Sequence, residues 1–126
     1  MSRVKIEKLS PVFSDDRGQI TDILSANVKH VGLITSKKGS IRGKHYHKLQ
    51  TQYTYVLKGK IELTTKDLRE NEPKASITTV TEGHLITIPP MVVHVYKALE
   101  DYAIIALTTE LRGREGYEAD TFRVEA

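Results

Sequence analysis

Short runs of β-forming residues, broken at regular intervals by turn residues, most constrain how this chain can fold. The runs are rich in Val, Ile, Thr and Tyr, and many alternate apolar with polar residues. They cover Val4–Leu9, Gly18–Leu24, His30–Thr35, Ile41–His47, Gln52–Leu57, Lys60–Lys66, Ser76–Thr81, His84–Ile88, Val92–Ala98, Tyr102–Leu107 and Thr121–Val124. Turn signals separate them at Asp15–Gly18, Lys38-Gly39, Lys58-Gly59, Glu82-Gly83, Pro89-Pro90 and Arg112-Gly113. This spacing, with no long segment of helical period, predicts an all-β sandwich or barrel.

The composition narrows the class of protein. The chain has 126 residues, enough for one domain with its own core. It has no Cys, which excludes a disulfide framework and thiolate chemistry. No run approaches the ~20 apolar residues of a membrane span, and the first residues lack the apolar core of a signal peptide. The sequence therefore predicts a cytoplasmic protein with no membrane partner.

The charge balance bears on the ligand. The net charge is +3, and acidic residues lie between the lysines and arginines along the whole chain. Nucleic-acid-binding surfaces normally carry a denser cluster of lysines and arginines, so no nucleic-acid partner is predicted. A small anionic ligand, such as a nucleotide diphosphate, fits this balance, and solubility alone explains it equally well.

The run Gln52–Leu57 carries apolar or aromatic side chains on both faces. Because strand side chains alternate, Gln52, Thr54 and Val56 share one face and Tyr53, Tyr55 and Leu57 the other. A strand of this kind is covered on both sides. In a small barrel or sandwich the second cover is often another subunit, and the pattern therefore predicts a homodimer.

Two histidines, His45 and His47, lie two residues apart in a strand-like run and so point the same way. Gln52 begins the next apolar run, and His94 follows the Pro89-Pro90 turn. Convergent imidazoles are typical of a metal site or of a proton-transfer site. The residues alone leave both kinds of site open.

The spacing of these residues resembles the two motifs of the cupin family. Gly39, His45, His47, Gln52 and Gly59 fall at the positions of the first motif, where Gln52 replaces a glutamate. The second motif is represented by Gly83, Pro89, Met91, His94 and Ala98, where Met91 replaces a glycine and Ala98 an asparagine. The resemblance implies a double-stranded β-helix, or cupin jelly roll, as a single cupin domain over residues 1–126.

A narrower resemblance concerns the sugar-nucleotide cupins, which include dTDP-4-dehydrorhamnose 3,5-epimerases and dTDP-sugar 3,4-ketoisomerases. It rests on the stretch Phe13–Gly18 and on Arg42-Gly43, followed by His45, His47 and Lys48. The epimerases carry Gln where this chain has His47, so the pattern is closer to the ketoisomerases. The tail Tyr117–Arg123 resembles theirs loosely and is also similar to the end of cupin domains in capsular-polysaccharide reductases.

This resemblance implies an isomerase in the biosynthesis of surface-polysaccharide sugars. Its substrate would be a dTDP-4-keto-6-deoxyhexose. His45 matches the proton-abstracting histidine of these enzymes, and an imidazole with a pKa of about 6.5 suits a carbon-bound proton beside a carbonyl. His47 would return the proton or act on an enediol oxygen. This interpretation requires no cofactor.

Gln52 decides between proton chemistry and metal chemistry. An amide offers only a neutral carbonyl oxygen, so His45, His47, Gln52 and His94 would hold a divalent ion without an anionic ligand. Zn, Ni or Cu suit so nitrogen-rich a site best, with Fe and Mn as further candidates. The alternative interpretation is therefore a metal-binding cupin, acting as a dioxygenase-type enzyme or a small-ligand binder.

The remaining site residues are predicted to bind substrate. Arg17 and Arg42 are candidate phosphate ligands because a guanidinium binds phosphate oxygens in a bidentate manner. Tyr96 shares a face with His94 and could donate a proton or stack on a base, although a core tyrosine fits equally well. Lys44, Lys48 and Tyr46 alternate with the histidines and are expected to face away. The replacements at Met91 and Ala98 leave a third interpretation, a binding module without catalysis.

Overall fold

The computed structural model describes residues 3–111 and 120–124, and all of its regular structure is β-strand. The strands are β1 (Lys5–Lys8), β2 (Phe13–Asp15), β3 (Gly18–Ile20), β4 (His30–Ser36), β5 (Ile41–Tyr46), β6 (Gln52–Lys58), β7 (Lys60–Asp67), β8 (Ala75–Thr81), β9 (His84–Ile88), β10 (Val92–Ala98), β11 (Tyr102–Thr108) and β12 (Phe122–Arg123). The predicted all-β class is confirmed. No helix of the described residues is long and apolar enough to span a membrane.

The strands form two five-stranded antiparallel sheets and a separate hairpin. The first sheet has the order β1-β9-β6-β11-β4 and the second the order β12-β5-β10-β7-β8, while β2 pairs only with β3. Neighbours in each sheet are far apart in sequence, as in β10 beside β5. Two facing sheets with these crossing connections form the predicted jelly roll.

Alternation along the strands separates the interior from the surface. On β6, Gln52, Thr54 and Val56 are buried, whereas Tyr53 and Tyr55 are half-buried. The apolar core lies between the sheets and consists of Val56, Ile61, Leu63, Val80, Ile86, Ile88, Val92, Tyr96, Ala98, Tyr102 and Ile104. Polar side chains occupy the other part of the same interior, at the end of the barrel where β6 begins.

Most predicted strands are present, with boundaries shifted by one or two residues. The prediction missed β2, and β3 ends at Ile20 instead of Leu24. The predicted run Ile41–His47 also ends early, so that His47 lies just beyond β5. The chain leaves the sheet here because the backbone N–H groups of residues 48–50 bond to a side chain instead of to a neighbouring strand. The predicted turn at Arg112-Gly113 and residues 117–119 of the tail lie outside the described residues.

An ion pair ties the amino-terminal segment to the end of the barrel that carries the histidines. The buried Asp67 carboxylate accepts hydrogen bonds from the backbone N–H and the guanidinium of Arg3, each at 3.0 Å. The same guanidinium donates to the carbonyl oxygen of Pro90 at 2.7 Å. Arg3 therefore fixes the loop that leads into β10.

Candidate functional site

A β-bulge on β5 determines which side chains face the interior. Arg42 lies opposite Tyr96 on β10, and His45 lies opposite His94, with a register shift between the two pairs. Lys44 is the extra residue, and it has a left-handed φ of 60° beside Gly43 at 101°. Because opposed residues in a sheet share a face, the bulge puts Arg42 on the side of His45. Strict alternation would have placed them on opposite faces.

Gly43 is required at this bulge. A Cβ atom at residue 43 would lie 2.4 Å from the carbonyl oxygen of His94, and the positive φ is itself unfavourable for other residues. The close approach of the backbones at Gly43 and His94 fixes the position of His45 relative to His94. The bulge thus shapes the histidine site directly.

Three histidines converge inside the barrel. The ring centroids lie 5.0 Å apart for His45 and His47, 4.7 Å for His45 and His94, and 5.6 Å for His47 and His94. One nitrogen from each ring lies within 4.8 Å of the others. His47 and His94 are buried and His45 is half-buried. The histidines that the sequence singled out therefore do come together.

Hydrogen bonds to carbonyl oxygens fix the tautomer of two rings. His47 donates from Nδ1 to the carbonyl oxygen of Asp120 at 2.9 Å, and His94 donates from Nδ1 to that of Val92 at 3.1 Å. A carbonyl oxygen only accepts, so both Nδ1 atoms carry a proton. In the neutral ring Nε2 then holds a lone pair, which is the state needed to accept a proton or to bind a metal.

A cavity of about 590 Å³ opens onto this cluster. Its polar lining consists of Thr35, Arg42, His45, Gln52, His94, Tyr96 and Arg123, and its apolar lining of Leu33, Ile34, Ile41 and Ile104, with Gly43 between them. The cavity thus combines titratable, cationic and apolar side chains. His47 is not part of the lining and is buried beside the other two rings.

Gln52 belongs to a buried hydrogen-bond network. Its amide nitrogen donates to the Thr54 hydroxyl at 3.2 Å and to the Tyr96 hydroxyl at 3.3 Å, and these two hydroxyls are 2.8 Å apart. The Tyr96 hydroxyl is therefore held at the cavity by two partners. With the amide nitrogen so engaged, the carbonyl oxygen of Gln52 is the atom that remains to bind a substrate hydroxyl or an ion.

Arg42 and Arg123 bring positive charge to the cavity. Arg42 donates to the Ser36 hydroxyl at 2.6 Å and to the Thr35 carbonyl oxygen at 3.1 Å, which leaves further N–H groups of the guanidinium for a ligand. Arg123 lies on β12 opposite His45. Sequence reasoning missed Arg123 as a site residue, and the only available signal was its place in the tail motif.

Arg17 does not reach the cavity within this chain. It lies on the turn of the β2–β3 hairpin, with its side chain 83% exposed and paired to Asp15 at 2.6 Å. The hairpin lines a shallow groove of its own. Hydrogen bonds from the side chain and backbone of Arg17 lower the pKa of the Asp15 carboxyl. The predicted substrate-binding set is therefore split between the barrel and the hairpin.

Tyr46 and Lys48, two of the three residues expected to face away from the site, contact Phe122 on β12, whereas Lys44 lies in the bulge, where strict alternation does not hold. Tyr46 stacks on Phe122 with ring centroids 5.4 Å apart, and the Lys48 ammonium lies 4.4 Å from the centre of the Phe122 ring. This small cluster covers the outer face of β5 and β12.

The donor set also fits a divalent metal. Three imidazole nitrogens lie close together, and the lone pairs of His47 and His94 are fixed by their Nδ1 hydrogen bonds. Such an ion would act as a Lewis acid on a bound oxygen. Gln52 adds a neutral oxygen donor at most, so the protein itself would supply no negative charge to this ligand set.

Comparison with solved structures identifies the fold. The structure matches a dTDP-4-dehydrorhamnose 3,5-epimerase from Sulfolobus tokodaii with a TM-score of 0.77 and 24% identity, over 97% of this chain and 77% of the other. It matches a double mutant of a 3,4-ketoisomerase from Thermoanaerobacterium thermosaccharolyticum, in complex with TDP, with a TM-score of 0.78 and 25% identity, over 98% and 89%. A 3,4-ketoisomerase from Helicobacter canadensis gives a TM-score of 0.80 at 16% identity, over 98% and 92%.

The sequence was also compared with curated proteins and with family models. No curated protein matches it significantly. The family model described as the polysaccharide biosynthesis C-terminal domain matches residues 13–122, which include the hairpin, every cavity residue except Arg123 and all three clustered histidines. The chain, a cupin jelly roll by its structure, therefore belongs to the polysaccharide biosynthesis C-terminal domain family.

Proposed function

We propose that the protein is a nucleotide-sugar isomerase or epimerase that moves a proton next to the keto group of a dTDP-4-keto-6-deoxyhexose. One observation carries the proposal: His45 lines a cavity that also presents Tyr96, Gln52 and two arginines. The folds it matches belong to dTDP-sugar epimerases and 3,4-ketoisomerases. The family description places such chains in polysaccharide biosynthesis.

The chemistry needs one base at the carbon that bears the proton. His45 takes the proton from C3, and the C–H electron pair forms the double bond of an enediolate between C3 and C4. Protonation at C4, with transfer of the O3 proton to O4, gives the 3-keto isomer, whereas reprotonation of C3 on the opposite face gives an epimer. His47, whose ring centroid lies 5.0 Å from that of His45, is the second proton carrier.

The cations of the cavity suit the diphosphate of such a substrate. Arg42 is held by neutral acceptors, so its charge remains available to phosphate oxygens. Arg123 adds a second guanidinium on the side of His45. Gln52 and Tyr96 lie deeper and would bind hydroxyl or keto oxygens of the sugar.

Deuterium exchange tests the proposal. The protein is incubated in D2O with dTDP-4-keto-6-deoxyglucose, and NMR follows the C3 signal and the appearance of a 3-keto or epimeric product. We expect exchange by the wild type, its loss in His45→Ala and a smaller loss in His47→Ala. His30→Asn, a histidine on β4 outside the cluster, is the matched control. The absence of both exchange and product in the wild type would exclude the function.

His94→Asn tests which ring is the second carrier. His94 lines the cavity and His47 does not, although both adjoin His45. If exchange survives in His94→Asn and falls in His47→Ala, the role of His47 is supported. The reverse pattern would transfer that role to His94.

The three convergent imidazoles also favour a second candidate, a metal-binding cupin that acts as a dioxygenase-type enzyme or a small-ligand binder. Its ion would be Zn, Ni, Cu, Fe or Mn, held by His45, His47 and His94 with the oxygen of Gln52. Elemental analysis of protein purified without an affinity tag tests it. Less than about a tenth of an equivalent of any of these metals argues against the candidate. Gln52→Glu adds the missing negative charge and should tighten Zn binding by at least about tenfold.

The outer face of the first sheet supports a homodimer. Register places Leu33 beside Ile105 and Tyr55, and Val31 beside Leu107 and Tyr53. Leu33 is 67% exposed and Val31 59% exposed, so this apolar face is open to water in the single chain. A second copy packed on it would cover the strands that the sequence predicted to be covered on both sides.

Light scattering after size exclusion tests the dimer. The wild type should elute with twice the mass of one chain, and Val31→Glu, on the same face but outside the cavity, should reduce the mass to that of a monomer. Ile77→Glu, which changes a similarly exposed side chain on the other sheet, should leave the dimer intact. A monomeric wild type would exclude the homodimer. The cytoplasmic location predicted from the sequence stays a prediction.

A further inference from the structure

The buried carboxylate of Asp120 collects three successive backbone N–H groups. Oδ1 accepts hydrogen bonds from Lys48 at 2.9 Å and Leu49 at 3.1 Å, and Oδ2 accepts one from Gln50 at 3.1 Å. Asp120 is only 8% exposed, so these charge-assisted bonds form away from most of the solvent. The carboxylate therefore fixes the loop that follows His47 and leads into β6.

The main-chain carbonyl of the same residue holds the ring of His47. It accepts the Nδ1 hydrogen at 2.9 Å. Since the side chain of Asp120 is bonded to the loop next to His47, the position of this carbonyl relative to the ring is determined from both ends. One residue thereby sets both the path of the loop and the orientation of the imidazole.

His94 provides an internal contrast. Its Nδ1 donates to Val92, two residues earlier on its own strand. That bond forms wherever β10 forms and needs no other segment of the chain. The ring of His47, in contrast, takes its carbonyl partner from a residue 73 positions away in sequence.

We propose that Asp120 is a positioning residue for His47, and that it holds the ring in the Nδ1–H tautomer with the Nε2 lone pair directed at His45 and His94. The proposal deepens the proposed function, on which it rests for the role of His47 in proton transfer. Asp120 does not touch the substrate. It acts by keeping one ring nitrogen of His47 basic and aimed at the cluster.

Imidazole NMR tests this positioning without any substrate. Metal-free protein labelled with ¹⁵N-histidine is measured at a pH about two units above the ordinary imidazole pKa of about 6.5. We expect a single Nδ1–H tautomer for His47 in the wild type and a mixture of tautomers in Asp120→Ala. Asp120→Asn keeps one side-chain acceptor for the loop and should retain most of the wild-type signal. The His94 signal should be the same in all three proteins.

Asp67→Asn is the matched control. Asp67 is also a buried carboxylate that accepts backbone N–H groups, but its hydrogen bonds go to Arg3 in the amino-terminal segment and to Arg69 in the turn after β7. It should lower stability and leave the tautomer of His47 unchanged. If Asp120→Ala unfolds, Asp120→Asn decides: because it weakens the loop bonds, a minor second tautomer of His47 should appear, and its complete absence would overturn the proposal.

Kinetics supply the second measurement. With an active wild type, Asp120→Ala should lower kcat by roughly 10- to 100-fold, with little change in KM, because the loss concerns orientation and not binding. An unchanged His47 tautomer in folded Asp120→Ala would overturn the proposal whatever the activity. A wild type without activity on nucleotide sugars would instead refute the proposed function and leave the tautomer result to decide the positioning.

Discussion

The barrel and the β2–β3 hairpin each present one arginine for an anion, but the two arginines differ in what holds them. Arg42 in the barrel is fixed by a hydroxyl and a carbonyl oxygen, and within residues 3–111 and 120–124 it forms no ion pair. Arg17 on the hairpin is paired with the Asp15 carboxylate at 2.6 Å. The first guanidinium therefore keeps its full charge for a ligand, whereas the second must exchange one anion for another.

The difference has a cause in the backbone. Arg42 owes its position to the bulge between β5 and β10, where Gly43 closely approaches the backbone of His94. Arg17 owes its position to a two-stranded hairpin whose residues from Phe13 to Ile20 are all exposed. A site residue in the barrel is thus set by packing of this chain. A site residue on the hairpin needs another surface to complete it, which the proposed second copy would supply.

The largest effect is expected from Gly43→Ala. The added Cβ would lie 2.4 Å from the carbonyl oxygen of His94, which should lower the free energy of unfolding by about 3 kcal/mol and abolish activity. Gly18→Ala on the hairpin is the matched change, because it shares a positive φ but has no atom within 4 Å of the new Cβ. It should cost about 1 kcal/mol at most. Equal losses in chemical denaturation would contradict the contrast between barrel and hairpin.

The next effect concerns substrate binding. Arg42→Ala should raise KM for the nucleotide sugar by roughly 10- to 100-fold, because a hydrogen bond to a charged group contributes about 1.5–3 kcal/mol. Arg17→Ala should raise KM in the dimer and have no effect in a monomeric Val31→Glu background, since Val31 does not line the cavity. Steady-state kinetics on the single and double variants measure both. A KM for Arg17→Ala that rises equally in monomer and dimer would show that the hairpin acts on its own barrel.

Two carboxylates bound by arginines, Asp67 and Asp15, should differ in how much they contribute to stability as the pH falls. Burial alone would raise the pKa of Asp67, but hydrogen bonds from the Arg3 side chain and from the Arg3 and Arg69 N–H groups lower it below 3.8. The ionised Asp67 therefore contributes fully to the free energy of unfolding above the pKa that it has in the unfolded state. This contribution is lost as the pH falls towards the pKa that it has in the folded state. Asp67→Asn should remove about 1–2 kcal/mol at neutral pH and flatten the acid side of a Tm-against-pH curve.

Asp15→Asn is the control for that experiment. The Asp15 carboxyl also has a lowered pKa, caused by Arg17, but the pair lies on the exposed hairpin. Because exposed ion pairs contribute little, its Tm-against-pH curve should match that of the wild type. A flattened curve in Asp15→Asn would mean that the hairpin is packed against another surface under the conditions used.

The smallest effect is expected for the KM of Asp15→Asn in steady-state kinetics. Removing the Asp15 carboxylate releases the Arg17 charge, so KM for the nucleotide sugar should fall by up to about threefold in the dimer. Arg42 has no such partner to remove, and Ser36→Ala should leave KM within about twofold. A higher KM in Asp15→Asn would show that the carboxylate orients Arg17 for the ligand.

The sequence predicted the features that depend on the alternation of side chains along a strand and on the spacing of short motifs. The inward face of β6 and the convergence of His45 with His94 follow from alternation and motif spacing, and both are present. The bulge at Lys44 was not predicted because a lysine at a φ of 60° leaves no sign in the sequence. The glycine before it was visible only as part of a motif.

Asp120 and Arg123 were beyond sequence reasoning for a different reason. Their roles depend on which strand β12 pairs with, and the register of Arg123 with His45 joins the last described segment to β5, far earlier in the sequence. Nothing in the local pattern of residues 120–124 encodes that choice. The hydrogen bonds from residues 48–50 to Asp120 supply the missing information only in the folded protein.

The pairing of β12 with β5 has a consequence for protein synthesis. The backbone N–H of Val124 bonds to the carbonyl oxygen of Lys44 at 2.8 Å, and Arg123 lies beside His45. A nascent chain can place the three histidines before residues 120–124 have been made, but these residues supply the anchor of His47 and the second guanidinium. Contacts between such distant segments also form late in folding. The working site would therefore be completed only once residues 120–124 have been synthesised and have paired with β5.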